Sequence, residues 1–63
     1  MKSFYNALLM KGKSVEWLAK QLGVSHQTVY QWKSGKTKPK PKHLVELVKL
    51  LQVKIETLIN DHY

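Results

Sequence analysis

Apolar positions recur along the chain at the three- and four-residue spacing of helices, and no segment alternates apolar and polar residues as a half-buried strand would. Phe4, Ala7, Leu8 and Leu9 form a stripe over Ser3–Met10 that stops at Gly12. Ser14 is placed to cap a second helix carrying Val15, Leu18, Ala19 and Leu22 on one face. Gly23 ends that helix with the residue best able to adopt left-handed dihedrals. Ser25 offers the next cap, for a helix running to about Ser34 before Gly35. The stretch Lys36-Thr37-Lys38-Pro39-Lys40-Pro41 then predicts an extended loop, because each proline restricts itself and the residue before it. Pro41 suits the first turn of a fourth helix with the stripe Leu44, Leu47, Val48 and Leu51. A short fifth helix from about Lys54 to Asp61 carries Ile55, Leu58 and Ile59. The pattern predicts an all-α chain in which Leu50, Val53, Ile55 and Leu58 close the core. With no internal repeat and no linker-length segment, residues 1–63 read as a single domain.

Size and charge narrow the functions open to such a chain. Its 63 residues carry a formal charge of +7, all of it from lysine, with neither arginine nor cysteine. A domain of this length buries only about 60% of its unfolded surface, so the core must be small. The absence of cysteine excludes disulfides and thiolate metal sites. The longest apolar run, Ala7 to Met10, is too short for a membrane span or a signal-peptide core. The expected frame is a soluble, cytoplasmic basic domain. Within it, Lys33, Lys36, Lys38, Lys40 and Lys42 place five positive charges and no negative one in residues 33–42, leaving a net of only +2 for the rest. Such concentration points toward a polyanion, although lysine also serves solubility and basic helices can lie on membrane surfaces.

Catalysis finds no support. His26, His43 and His62 lack the spacing of metal ligands and have no thiol or paired carboxylate near them, so neither a metal nor a cofactor is expected. The four acids are scattered, and Ser25 and Ser34 have no base and acid to activate them.

The informative stretch is Val15 to Gly35, VEWLAKQLGVSHQTVYQWKSG: two short helices around a glycine turn, the arrangement of a helix-turn-helix over residues 15–34. Ala19 must be small where the second helix of the pair crosses it, and Val24, Val29 and Trp32 fill the angle between the two. With His26 set at zero and about 100° per residue, Val29 and Trp32 fall near about 300° and 240°. His26, Gln27, Tyr30, Gln31 and Ser34 fall between about 0° and 140°. One face is therefore apolar, and the other presents amides, an imidazole and a phenol. Gln27 and Gln31 lie one turn apart, and each side chain can pair bidentately with adenine N6 and N7 in a major groove. Glutamine and histidine on an exposed face are equally the ordinary dress of a solvated helix, so the face alone leaves both readings open.

Leu18, Ala19, Gly23, Val24-Ser25, Val29, Trp32 and Gly35, with the following Gly35-Lys36-Thr37-Lys38-Pro39, resemble the phage repressor and Cro helix-turn-helix family (Xre type) over roughly residues 3 to 60. The resemblance implies a compact five-helix, lambda-repressor-like DNA-binding domain. It also implies that His26, Gln27, Gln31 and Tyr30 contact bases, with Tyr30 touching a thymine methyl or phosphate or lying along the surface. The loop residues Lys36, Thr37, Lys38 and Lys40 would follow the phosphodiester backbone. Ser14 and Lys13 would hold a phosphate at the opposite groove edge, and Ser25 and Ser34 join the phosphate set. Three positions depart from the family pattern: Lys13 replaces an apolar residue, Val15 a phosphate-touching glutamine, and Trp17 a polar exposed residue. Trp17 has two open placements, on the first helix or against a partner.

The implied function is that of a Cro- or repressor-like transcriptional regulator, phage- or prophage-encoded, bound as a homodimer to double-stranded DNA. Half-sites of such operators lie about 34 Å apart. Ile59 and Tyr63 are the candidate dimer contacts, the alternative being that Ile59 packs internally. No membrane and no small-molecule effector is expected, since the length leaves no room for a ligand-binding domain. Two other readings compete: an antitoxin-type autoregulator whose C-terminal helix binds a protein partner, and a nonspecific polyanion or membrane-surface binder.

Overall fold

The second and third helices begin where the sequence supplies serine caps. The computed structural model describes residues 3–60, which form α1 (Ser3–Met10), α2 (Val15–Leu22), α3 (His26–Ser34), α4 (Pro41–Leu51) and α5 (Ile55–Ile59). Ser14, in extended backbone, accepts the Trp17 N–H on its Oγ at 3.1 Å and so opens α2. Ser25 does the same for α3, accepting the Thr28 N–H at 3.2 Å. Gly23 ends α2 at φ +72°, and the Val24 N–H then folds back to the Ala19 carbonyl at 3.0 Å. Pro41 occupies the first turn of α4 as expected. The fifth helix is shorter than its pattern predicts. It starts at Ile55 and gives way at Asn60, while Asp61 lies outside the described residues.

The helix-turn-helix pair α2 and α3 packs together, and α4 packs on α1 and α5 to complete the bundle. Between them lies one core. Phe4 and Leu8 enter it from α1, Leu18, Ala19 and Leu22 from α2, and Val29 and Trp32 from α3. Leu44, Leu47 and Leu51 of α4 and Leu58 of α5 close the far side. Leu50, Val53, Val48 and Val24 are half-buried against this cluster.

Two expected core positions point outward. Leu9 is 54% exposed, because it sits about 100° round the helix from Leu8. An eight-residue α1 that buries Phe4 and Leu8 turns Leu9 to solvent. Ile55 is 38% exposed: it opens a helix of little more than one turn, whose single buried side chain is Leu58. Ile59, by contrast, is 49% exposed and does not pack internally. Trp17 lies half-buried against the core cluster, with the Lys13 Nζ 5.3 Å from its ring centroid.

The turn from α4 to α5 contains a backbone feature that the sequence pattern did not predict. Gln52 ends α4 at φ +56°, in the left-handed region, and its Oε1 accepts the Lys11 Nζ at 3.0 Å. This joins the α1–α2 turn to the α4–α5 turn.

Reciprocal substitutions test these left-handed positions. Gly35 sits at φ +84° with nothing within 4 Å of where a Cβ would lie, so Gly35→Ala carries only the dihedral penalty. It should lower stability by about 1 kcal/mol. Gln52→Gly should raise stability by about 0.5–1 kcal/mol as the strain is relieved, despite the lost exposed hydrogen bond. Urea unfolding midpoints read both, and the two shifts must have opposite signs.

Candidate nucleic-acid interface

Because Val29 and Trp32 are buried on the inner side of α3, the residues a half-turn away face outward. Gln27, Tyr30, Gln31, Lys33 and Ser34 line one open concavity of about 620 Å³ along this helix. Gln27 and Ser34 are exposed, Tyr30 is 44% exposed, and Gln31 is half-buried. His26 stands exposed at the start of α3, its ring edge-on to Tyr30 one turn later, with centroids 6.3 Å apart and planes at 87°. All four sequence-predicted base contacts thus share the outward side of one helix. The amides of Gln27 and Gln31 each carry donors and an acceptor, the pairing that an adenine edge requires.

The lysine loop is anchored rather than loose. Gly35 turns the chain, and its N–H is directed at the Gln31 and Trp32 carbonyls. The Lys36 and Thr37 N–H groups also donate to the Gln31 carbonyl, at 3.0 and 3.4 Å. These amides finish α3 as a C-cap, so what Thr37 presents to solvent is its exposed side chain. Two residues further, Pro39 is fully buried. That anchor holds the intervening Lys38 and its neighbours Lys36 and Lys40 on the surface, all three exposed. His43, in the first turn of α4, lays its ring 5.3 Å from that of Trp32, with Nδ1 buried and unpartnered. This contact ties the end of the loop to α3.

The serines have structural duties as well. Ser25 Oγ caps α3 and lies 2.9 Å from Thr28 Oγ1, with either hydroxyl able to donate. Ser34 Oγ donates to the Gln31 carbonyl at 3.1 Å. Ser14 Oγ accepts from Trp17, which leaves its own hydroxyl proton to be directed outward. Glu16 in the first turn of α2 complements the helix terminus but sets a negative charge near any anion held by Lys13 and Ser14. The first turn of α3 has no acidic residue. Ile59 is exposed on α5, and Tyr63 lies outside the described residues. Among the described residues no three metal-ligating side chains converge, and no helix is long and apolar enough to cross a membrane.

Two short capped helices, a left-handed glycine between them and a polar outer face define a helix-turn-helix domain. A family model described as helix-turn-helix matches residues 5–58. The chain belongs to the helix-turn-helix family of the Xre/Cro/C1 type, and is a DNA-binding transcription regulator of that family. No curated protein and no solved structure matches it.

Ser14 separates capping from anion binding. Ser14→Ala should lower stability by about 1 kcal/mol through loss of the cap. Ser14→Asp keeps the cap and the stability but sets a carboxylate where a phosphate is expected. Thermal unfolding should be nearly unchanged for Ser14→Asp, while its affinity for any DNA duplex falls.

Proposed function

We propose that this regulator is Cro- or repressor-like and reads a palindromic operator by laying α3 in the major groove. His26, Gln27, Gln31 and Tyr30 contact bases. Lys13 and Ser14 from the start of α2, Ser25 and Ser34 from the ends of α3, and Lys36, Thr37, Lys38 and Lys40 from the loop contact phosphates. The observation that carries this reading is the shared placement of Gln27, Tyr30 and Gln31 along one concavity of α3, beside a loop whose lysines are held outward by buried Pro39. Without a guanidinium anywhere in the chain, bidentate readout falls to the glutamines, which favours adenine-containing steps in each half-site.

Two copies bind together, one per half-site, through α5. Support comes from Ile59, an apolar side chain 49% exposed on the last helix, with Tyr63 as its companion in the sequence. Control then follows protein concentration and competition for the operator, with no small-molecule effector. The same exposed α5 surface also favours a second reading, an antitoxin-type autoregulator in which a different protein covers Ile59. Co-purification with the product of a neighbouring gene, in place of self-association on DNA, would support that alternative. A bacterial cytoplasm and a phage or prophage origin fit either reading.

Selection from random duplexes followed by variant titrations tests the assignment. Gln27→Ala or Gln31→Ala should each cost about 1–3 kcal/mol on the selected site and little on scrambled duplex. Lys36→Ala should weaken binding to every duplex and reduce the slope of log K against log salt by about one unit. Ile59→Asp should abolish cooperative occupation of paired half-sites while sparing affinity for an isolated one. Equal affinity of the unmodified protein for all sequences at matched salt would refute sequence-specific reading.

A further inference from the structure

Lys33 is the one cation among the residues that line the α3 concavity, and it is not placed like the loop lysines. Its Nζ stands 3.8 Å from the ring centroid of Tyr5, close enough for a strong cation–π contact. Tyr5 belongs to α1, which packs mainly on α4 and α5, so the pair bridges α1 and the recognition helix. Lys33 is half-buried there. Placing an ammonium at such a junction is an unusual choice where an apolar side chain would pack against the same ring.

Helix geometry says what this cation would meet. The outward residues His26, Gln27, Tyr30, Gln31 and Ser34 centre near about 70–80° on the wheel that starts at His26, and Lys33 falls at about 340°, roughly a quarter-turn away. A helix with its side chains is about 10–12 Å across, and the major groove is about 12 Å wide. Side chains at the centre of the inserted face therefore meet base edges, while those a quarter-turn round meet the phosphate wall. The Tyr5 ring holds the ammonium on the α1 side of α3. An ammonium carries three donors and acts on phosphate as a compact point charge.

We propose that Lys33, held in place by Tyr5, is a further phosphate-binding residue that grips a DNA backbone phosphodiester on the α1 side of the recognition helix. Tyr5 is a positioning residue, limiting the side-chain freedom that Lys33 would lose on binding. The site rests on the reading that α3 enters the major groove. It adds a second backbone contact beside the helix, distinct from the lysines of the 36–40 loop.

Salt titrations of the full chain on its selected duplex and on a scrambled duplex test this, using Lys33→Met, Lys33→Arg, Tyr5→Leu and the Tyr5→Leu/Lys33→Met pair. Methionine keeps the stem over the ring and removes only the charge. Lys33→Met should lower the salt slope by about one unit on both duplexes, with the selected sequence unchanged, and Lys33→Arg should restore it. Tyr5→Leu should weaken binding about two- to five-fold when Lys33 is present. In the Lys33→Met background the Tyr5 change should have no further effect on DNA affinity. An unchanged slope in Lys33→Met would overturn the proposal and leave the pair as an α1–α3 brace. So would a loss of preference at one base position, which would make Lys33 a base reader. If the unmodified protein fails to distinguish the two duplexes, sequence-specific reading falls instead, and the slope of Lys33→Met still decides whether Lys33 holds phosphate.

Discussion

The burial of Val29 and Trp32 on the inner side of α3 is the constraint from which the rest of the surface follows. Val29 is fully buried and Trp32 is 2% exposed. With those two side chains fixed, the rotation of α3 about its own axis is fixed, and Gln27, Tyr30 and Gln31 have only one direction to face. Trp32 has the larger part, because His43 lies against its ring and brings the start of α4 with it. Losing so large a side chain from a core costs about 3–5 kcal/mol. That is a large share of the stability available to a domain this small. Orientation of the recognition face and stability of the fold therefore depend on the same contacts.

A second layer of constraint governs the charge. A loop with three lysines and two prolines in residues 36–41 would be expected to drift, and diffuse charge steers a partner without holding it in register. Here the Gln31 carbonyl gathers the amides that leave α3, and Pro39 is sunk into the protein two residues later. Lysines between and beside those anchors start from a fixed backbone. Several of the lysines are thus placed cations, with Lys33 braced on α1 and Lys13 lying over Trp17 on α2.

Much of this was legible from residue order alone, where the physics is local. Ser14 and Ser25 cap because their hydroxyls reach an amide three residues on, and Gly23 turns because it lacks a Cβ. The faces of α3 followed from helical period. What was not legible depended on which element lies opposite. Leu9 belongs to the continuous apolar run Ala7 to Met10, in which period cannot say which residues turn inward. Ile55 looked like core because the pattern cannot tell how short α5 is. Pro39 sits in a lysine–proline run that reads as solvent-facing, and its burial depends on tertiary packing. Tyr5 and Lys33 are 28 positions apart, and nothing in either segment announces the other. The left-handed Gln52 had no glycine to mark it. The departures of Lys13 and Trp17 from the family pattern were visible, but not that the Lys13 ammonium lies 5.3 Å from the Trp17 ring centroid.

On the proposed reading the outer face of α3 meets bases and the α4–α5 turn does not. The chain carries an internal control for it, since Gln21, Gln27, Gln31 and Gln52 all have side-chain amide protons visible by nuclear magnetic resonance. Titration with the selected duplex should shift the side-chain amides of Gln27 and Gln31 strongly. That of Gln52, bonded to Lys11 at the α4–α5 turn, should stay in place. Shifts confined to Gln52 and its surroundings, with Gln27 and Gln31 unmoved, would contradict the account.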